Sequence, residues 1–174
     1  STTNYTPISD LDLTTFYWYV EAYDNESWGP NSSVFNFTLI SAVIISMPNN
    51  TINFGSLAIN GTADTADENP YPFIVQNDGN VPIDILLNST ALWSSKPLDT
   101  DYFQAKVNYN EAGSFNWSTS LTSWTNITNA TLYINHLNYT DSNDTAKIDL
   151  RVKVPEDESE GSKSAIVTIY AVES

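Results

Sequence analysis

The local patterning of this chain constrains its fold more than any other feature. β-Branched and aromatic residues fall in runs of five to ten bounded by Gly, Pro, Asn and Asp, and Ala, Glu, Lys and Leu nowhere keep a 3.6-residue spacing for long. An all-β fold is the consequence. Candidate strands cover residues 14–23, 33–46, 51–59, 72–76, 82–88, 102–109, 130–135, 146–154 and 163–172. In the clearest of them Ile148, Leu150, Val152 and Val154 alternate with Lys147, Asp149, Arg151 and Lys153, which sends one face to a core and the other to water. The polar loop 155–162, reading PEDESEGS, then predicts a terminal hairpin between that strand and the last one. The tract NDGNV after Gln76 is an Asp-Gly turn signal between apolar strands and predicts a second hairpin.

The chain has the material for a core: 41% of its 174 residues are apolar and 13% aromatic, unlike disordered segments of similar charge. Its length allows one large domain or two small ones. A net charge of -15 would repel a phosphate backbone or an anionic membrane surface, which argues against nucleic acid as a partner. With no Cys and the single His136, thiolate catalysis, disulfides and multi-histidine metal sites are excluded.

Twelve of the 20 asparagines stand in Asn-X-Ser/Thr triplets: Asn4, Asn25, Asn31, Asn36, Asn49, Asn60, Asn88, Asn116, Asn126, Asn129, Asn138 and Asn143. Ser and Thr make up about 22% of the chain, so chance alone supplies roughly four or five such triplets. Asn and Thr are common in turns and strands, which is one reading of the excess; a densely N-glycosylated extracellular surface is the other. Acidic, Cys-free and sequon-rich together point to an archaeal surface protein, since small secreted eukaryotic domains rely on disulfides. No positively charged start followed by an apolar stretch opens the chain, so a signal peptide is expected to have been removed. The longest apolar-leaning run, 34–47, is interrupted by polar residues and is shorter than the roughly 20 residues of a membrane helix, so no direct membrane insertion is expected.

Residues 14–38, TTFYWYVEAYDNESWGPNSSVFNFT, resemble the last two strands of a fibronectin type III domain. Tyr17, Tyr19 and Val20 fall in the first strand, Ala22, Tyr23 and Asp24 close it, Trp28 and Gly29 sit in the loop, and Phe35 and Phe37 lie in the second. The likeness covers about 25 residues of a family with about seven strands. Two strands alone bury no stable core. Either the chain is part of a larger protein, or these strands complete a sheet in a neighbouring subunit. From residue 46 onward the chain more loosely resembles the immunoglobulin-like modules of archaeal surface and filament proteins, through INFGSLAINGTADT, PFIVQNDGNVPIDILLN and VPEDESEGSKSAIVTIYA. The fold expected is therefore an all-β, immunoglobulin-like or jelly-roll-type β-sandwich over 46–174, preceded by a partial fibronectin type III-like segment over 1–45.

Two acidic loops are candidate calcium sites: Asp64, Asp67 and Glu68 in DTADE, and Asp141, Asn143 and Asp144 in DSND. Neither has EF-hand spacing, and solvated acidic turns are the alternative. No other cofactor is expected. His136 lacks a nucleophile motif beside it and reads as a structural or surface histidine. Trp93, Trp117 and Trp124 would stack on sugars if exposed, but read as core in a sandwich of this size. The expected function is non-enzymatic: a structural subunit of an archaeal extracellular filament, sheath or surface layer, a homopolymer assembled by β-strand complementation and carrying N-linked glycans. An adhesin or carbohydrate-binding module of a larger secreted protein is the rival reading.

Overall fold

The computed structural model describes residues 6–7 and 11–174, so the triplet at Asn4 lies outside the described residues. The protein is an all-β structure whose chain divides into two compact units, Ser1–Ser41 and Ala42–Ser174.

In the first unit β1 (Thr15–Trp18) pairs antiparallel with β2 (Phe35–Thr38). The turn closing the hairpin is held by Asp24, whose carboxylate accepts from the amides of Glu26 (3.0 Å) and Ser27 (2.9 Å). Those bonds, Ser27's first, hold the Asp24 carboxyl below its ordinary value. Tyr23 and Trp28 face each other across the turn with ring centroids 4.9 Å apart.

The second unit is a β-sandwich. One sheet runs β3 (Ile45–Asn49), β5 (Phe73–Asn77), β10 (Thr145–Lys153), β7 (Phe103–Tyr109) and β8 (Thr125–Asn126), with β4 (Thr62–Asp64) also pairing with β10. The other runs β11 (Val167–Glu173), β6 (Ile83–Ser89) and β9 (Thr131–Leu137). Alternation puts Val75, Val107, Ile148 and Val152 from the first sheet and Ile83, Ile85, Leu87, Ile134 and Leu137 from the second into one core, all essentially free of solvent. Tyr133 joins them, and burial pushes its hydroxyl up to about 12.

Several expectations are corrected. Residues 146–154 and 163–172 do form strands, but β10 bonds to β4, β5 and β7 while β11 bonds to β6 in the opposite sheet, so the loop between them is a crossover and not a hairpin. Lys147, Arg151 and Lys153 satisfy the outer face of β10, and the apolar Val167, Ile169 and Ala171 of β11 pack inward from the other side. The Asp-Gly tract likewise joins β5 and β6 across the two sheets. Residues 33–46 are not one strand: β2 and β3 are separate and belong to different units. Residues 51–59 carry no strand ladder, whereas the short β4 and β8 had no pattern long enough to read.

Candidate functional site

Register places Phe16 opposite Phe37 and Trp18 opposite Phe35, so these four rings share one face of the hairpin. They stack pairwise, with centroids 5.4 Å and 4.9 Å apart. Trp18, Phe35 and Phe37 remain 47%, 49% and 42% exposed, and among the described residues of this unit no further strand layer lies over the face. The opposite face carries Thr15, Tyr17, Asn36 and Thr38, with Thr15 and Thr38 hydroxyls bonded at 2.8 Å. The sequon residues Asn36 and Thr38 thus point away from the rings.

The sandwich has its own unfinished side. Residues 50–57 and 158–167 flank a half-open groove of about 1080 Å³ whose floor is formed by Phe73, Trp93, Phe103, Leu150, Val152 and Val154. Ile52, Phe54, Leu57 and Ala165 partly cover that floor, yet neither flanking segment belongs to a ladder over 51–57 or 159–165. The β11 edge continues from one of them. Thr90 N donates to Ile166 O (3.0 Å) and Ser174 N to Pro82 O (3.1 Å), so the even-numbered residues of this strand face β6. The main-chain groups of Ala165, Val167, Ile169 and Ala171 therefore face the free edge.

Glu158 anchors the rim. Its side chain is buried and accepts from Ser94 Oγ (2.6 Å), Ser95 N (2.9 Å), Ser95 Oγ (2.8 Å) and Lys163 Nζ. The Lys163 ammonium first, and the Ser94 and Ser95 donors after it, hold the Glu158 carboxyl far below the ordinary glutamate range. A carboxyl lowered on folding contributes stability above its unfolded value, near 4.5, and loses it as pH falls toward the folded one. A Glu158→Gln protein is expected to melt below the parent at pH 7, with the gap narrowing steadily as pH falls from 5 to 3. A gap constant over that range in thermal melts would show that the charge is not what holds the loop.

The first acidic loop is paired within the chain. Asp64 pairs with Arg151 (3.4 Å) and accepts from Ala66 N (3.1 Å), Glu68 pairs with Lys147, and Asp67 accepts from Asn69 N (3.2 Å). Asp144 is buried beside Gln76 and Glu111; burial chiefly raises it, and its neighbours Glu111 and Asp141 add to the rise. Asp141 is exposed, and the Asn143 side-chain oxygen is buried without a partner. Among the described residues no three or more His, Asp or Glu side chains stand where they could hold a metal ion. Burial raises Glu111, but donors from Thr145 and Asp144 outweigh it and hold its carboxyl low.

The tryptophans separate. Trp93 is core, its Nε1 donating to Tyr102 O (3.1 Å). Trp124 has Arg151 4.1 Å and Lys106 4.8 Å from its ring, so its π-face is in use. Trp117 is exposed beside Tyr109 and Phe115. His136 is an exposed residue with φ 58°, 3.2 Å from Ser174 Oγ.

Asn25, Asn31, Asn36, Asn60, Asn116 and Asn129 are exposed. Asn49, Asn88, Asn126, Asn138 and Asn143 are half-buried, and Asn49 donates to Tyr71 O and Pro72 O while Asn126 accepts from Gln104. The apolar row of Phe35 and Phe37 was legible from its alternation, whereas the β11 edge was not, because it is defined by which strands the tertiary structure leaves at the end of a sheet. No protein-family model matches the chain, and no curated protein or solved structure matches it.

Proposed function

We propose that this chain is a non-enzymatic structural subunit of an extracellular filament, sheath or surface layer of archaeal type, N-glycosylated and assembling with copies of itself by β-strand complementation. The observation that carries this reading is the hairpin's aromatic face, half exposed on a two-stranded unit that cannot bury it alone. An uncovered apolar face of that kind marks an interaction surface. The sequon Asn36 on the opposite face supports the same reading, because a glycan there leaves the rings accessible. The fibronectin type III-like and immunoglobulin-like resemblances fit surface modules and belong to this proposal. Exposed Trp117 favours the second reading, an adhesin or carbohydrate-binding module.

Electron microscopy of native material is expected to show a regular polymer; dispersed particles would favour the adhesin. Mass spectrometry of the same material is expected to give a mass well above 19.3 kDa, with glycans at the six exposed sequons and not at Asn49 or Asn126. An unmodified native mass would overturn the glycoprotein reading.

A further inference from the structure

We propose that Asn88 carries a glycan whose first sugars lie over an apolar row on the outer face of the smaller sheet. This rests on the glycoprotein reading above and gives one of its glycans a place. Asp84, Leu86 and Asn88 alternate on the outer side of β6, while Ile83, Ile85 and Leu87 point into the core. Register sets Tyr170 of β11 and Leu132 of β9 opposite Leu86, one on each side. Three apolar side chains therefore cross the whole sheet on the face that in a sandwich meets water and is normally polar. Tyr170 is 48% exposed, and Val172, next on the same face of β11, 49%. Among the described residues the Tyr170 ring stacks on no other ring and its hydroxyl bonds to nothing. An exposed apolar row of this kind marks a surface that something covers.

Asn88 stands where a tethered sugar reaches that row. It is two residues from Leu86 along β6, opposite Thr168 on β11 and diagonal to Tyr170, a separation of about 7 to 8 Å that long groups span. Its amide is also spare. The side chains of Asn49, Asn126 and Asn138 are held in hydrogen bonds, whereas among the described residues the Asn88 side chain makes none and its Oδ1 is shielded from water without a donor. A second protein layer on this face would close the whole amide away and leave it buried and unpaired. A glycan instead uses it. Asn88 Nδ2 bonds to the anomeric carbon of a sugar delivered by a phosphate-linked glycosyl donor; the bond from that carbon to the phosphate oxygen breaks, and the amide gives up one proton. Thr90 supplies the hydroxyl of the Asn-X-Thr triplet. A sugar ring has a face of C–H groups, which packs on tyrosine and leucine, and hydroxyls at its rim, which keep the outside wet. Because the sugar is tethered beside the row, even a weak stacking contact is populated. The face formed by β11, β6 and β9 is then a solvent face of the assembly and not one of its contacts.

The test compares three preparations of the full chain by peptide mapping and hydroxyl-radical footprinting: the native glycoprotein, the bare chain made in a bacterial cytoplasm, and Asn88→Gln made in the native host. Mapping is expected to find a glycan at Asn88. Tyr170 is expected to oxidise several-fold more slowly in the native glycoprotein than in the bare chain, and Asn88→Gln is expected to restore the bare-chain rate with its other glycans in place. Native material with no glycan at any sequon would overturn the glycoprotein reading itself. Glycans at other sequons with Asn88 unmodified would overturn only this inference. Protection of Tyr170 that survives Asn88→Gln would mean that a second copy covers the row, and an equal rate in native and bare chains would mean that nothing does; either result overturns the inference. Thermal melts give a check that does not depend on the Asn88 variant folding. Tyr170→Ser is expected to leave the melting temperature of the bare chain nearly unchanged, since the side chain is exposed, and to lower that of the glycoprotein. An equal effect in both would show that the ring and the glycan do not touch, and the inference would fail.

Discussion

An Ile148→Ala protein is expected to lose about 3 kcal/mol of stability in its Ala42–Ser174 unit, with the urea midpoint falling and the denaturant slope unchanged. Ile148 is fully buried on β10, the strand at the centre of the larger sheet, opposite Phe73 on one side and Val107 on the other. Truncation removes three buried carbons and leaves a cavity whose walls belong to two sheets, so neighbours cannot relax into it without breaking register. Large-to-small changes at such positions cost about 2 to 5 kcal/mol. For a unit of this size the melting temperature is expected to fall by about 10 °C. A loss under about 1 kcal/mol would mean that the two sheets are not packed together at this point.

Asn77→Ala is expected to cost about as much, for a different reason. Asn77 is 1% exposed, and its amide donates to Val81 O (2.9 Å) and Leu137 O (3.2 Å) while its oxygen accepts from Gly79 N (3.0 Å). Those bonds fasten the β5–β6 crossover to β9 and replace the ladder that a hairpin would have supplied. Alanine leaves three main-chain groups without their partner in a region closed to water, at about 1 kcal/mol or more each. The expected total is about 3 kcal/mol, read in urea. Asp78→Ala, on the exposed side of the same turn, is expected to change stability by less than about 0.5 kcal/mol. Equal effects at the two positions would show that the turn, and not the buried amide, carries the energy.

Both predictions fall where local pattern and tertiary structure part ways. The strand character of β5, β6, β7, β10 and β11 was legible because alternation is a local property: most inward residues are apolar whatever strand lies beside them. Pairing was not. A turn of Asn77, Asp78 and Gly79 reads as a hairpin when only its backbone preferences are considered. Here Asn77 points into the core, and Gly79 lies so close to the Ala42 carbonyl that a Cβ would stand 2.2 Å from its oxygen. A local signal carries no information about that approach. The acidic loop at 64–68 shows the same limit, since Arg151 and Lys147, more than 75 residues away in the chain, pair with Asp64 and Glu68.

By itself the sequence determined that this protein is all-β, which faces of its strands are apolar, that it has no thiol chemistry, and where its twelve sequons lie. Alternation, composition and triplet motifs are each complete within a few residues. Only the tertiary structure decided that β10 and β11 lie in opposite sheets, that six of the eleven described sequon asparagines are exposed, that the acidic loop at 64–68 is held in ion pairs, and that β11 ends its sheet. Those outcomes depend on which distant segments meet, because burial of an apolar face and pairing of a strand edge are properties of two partners and not of one.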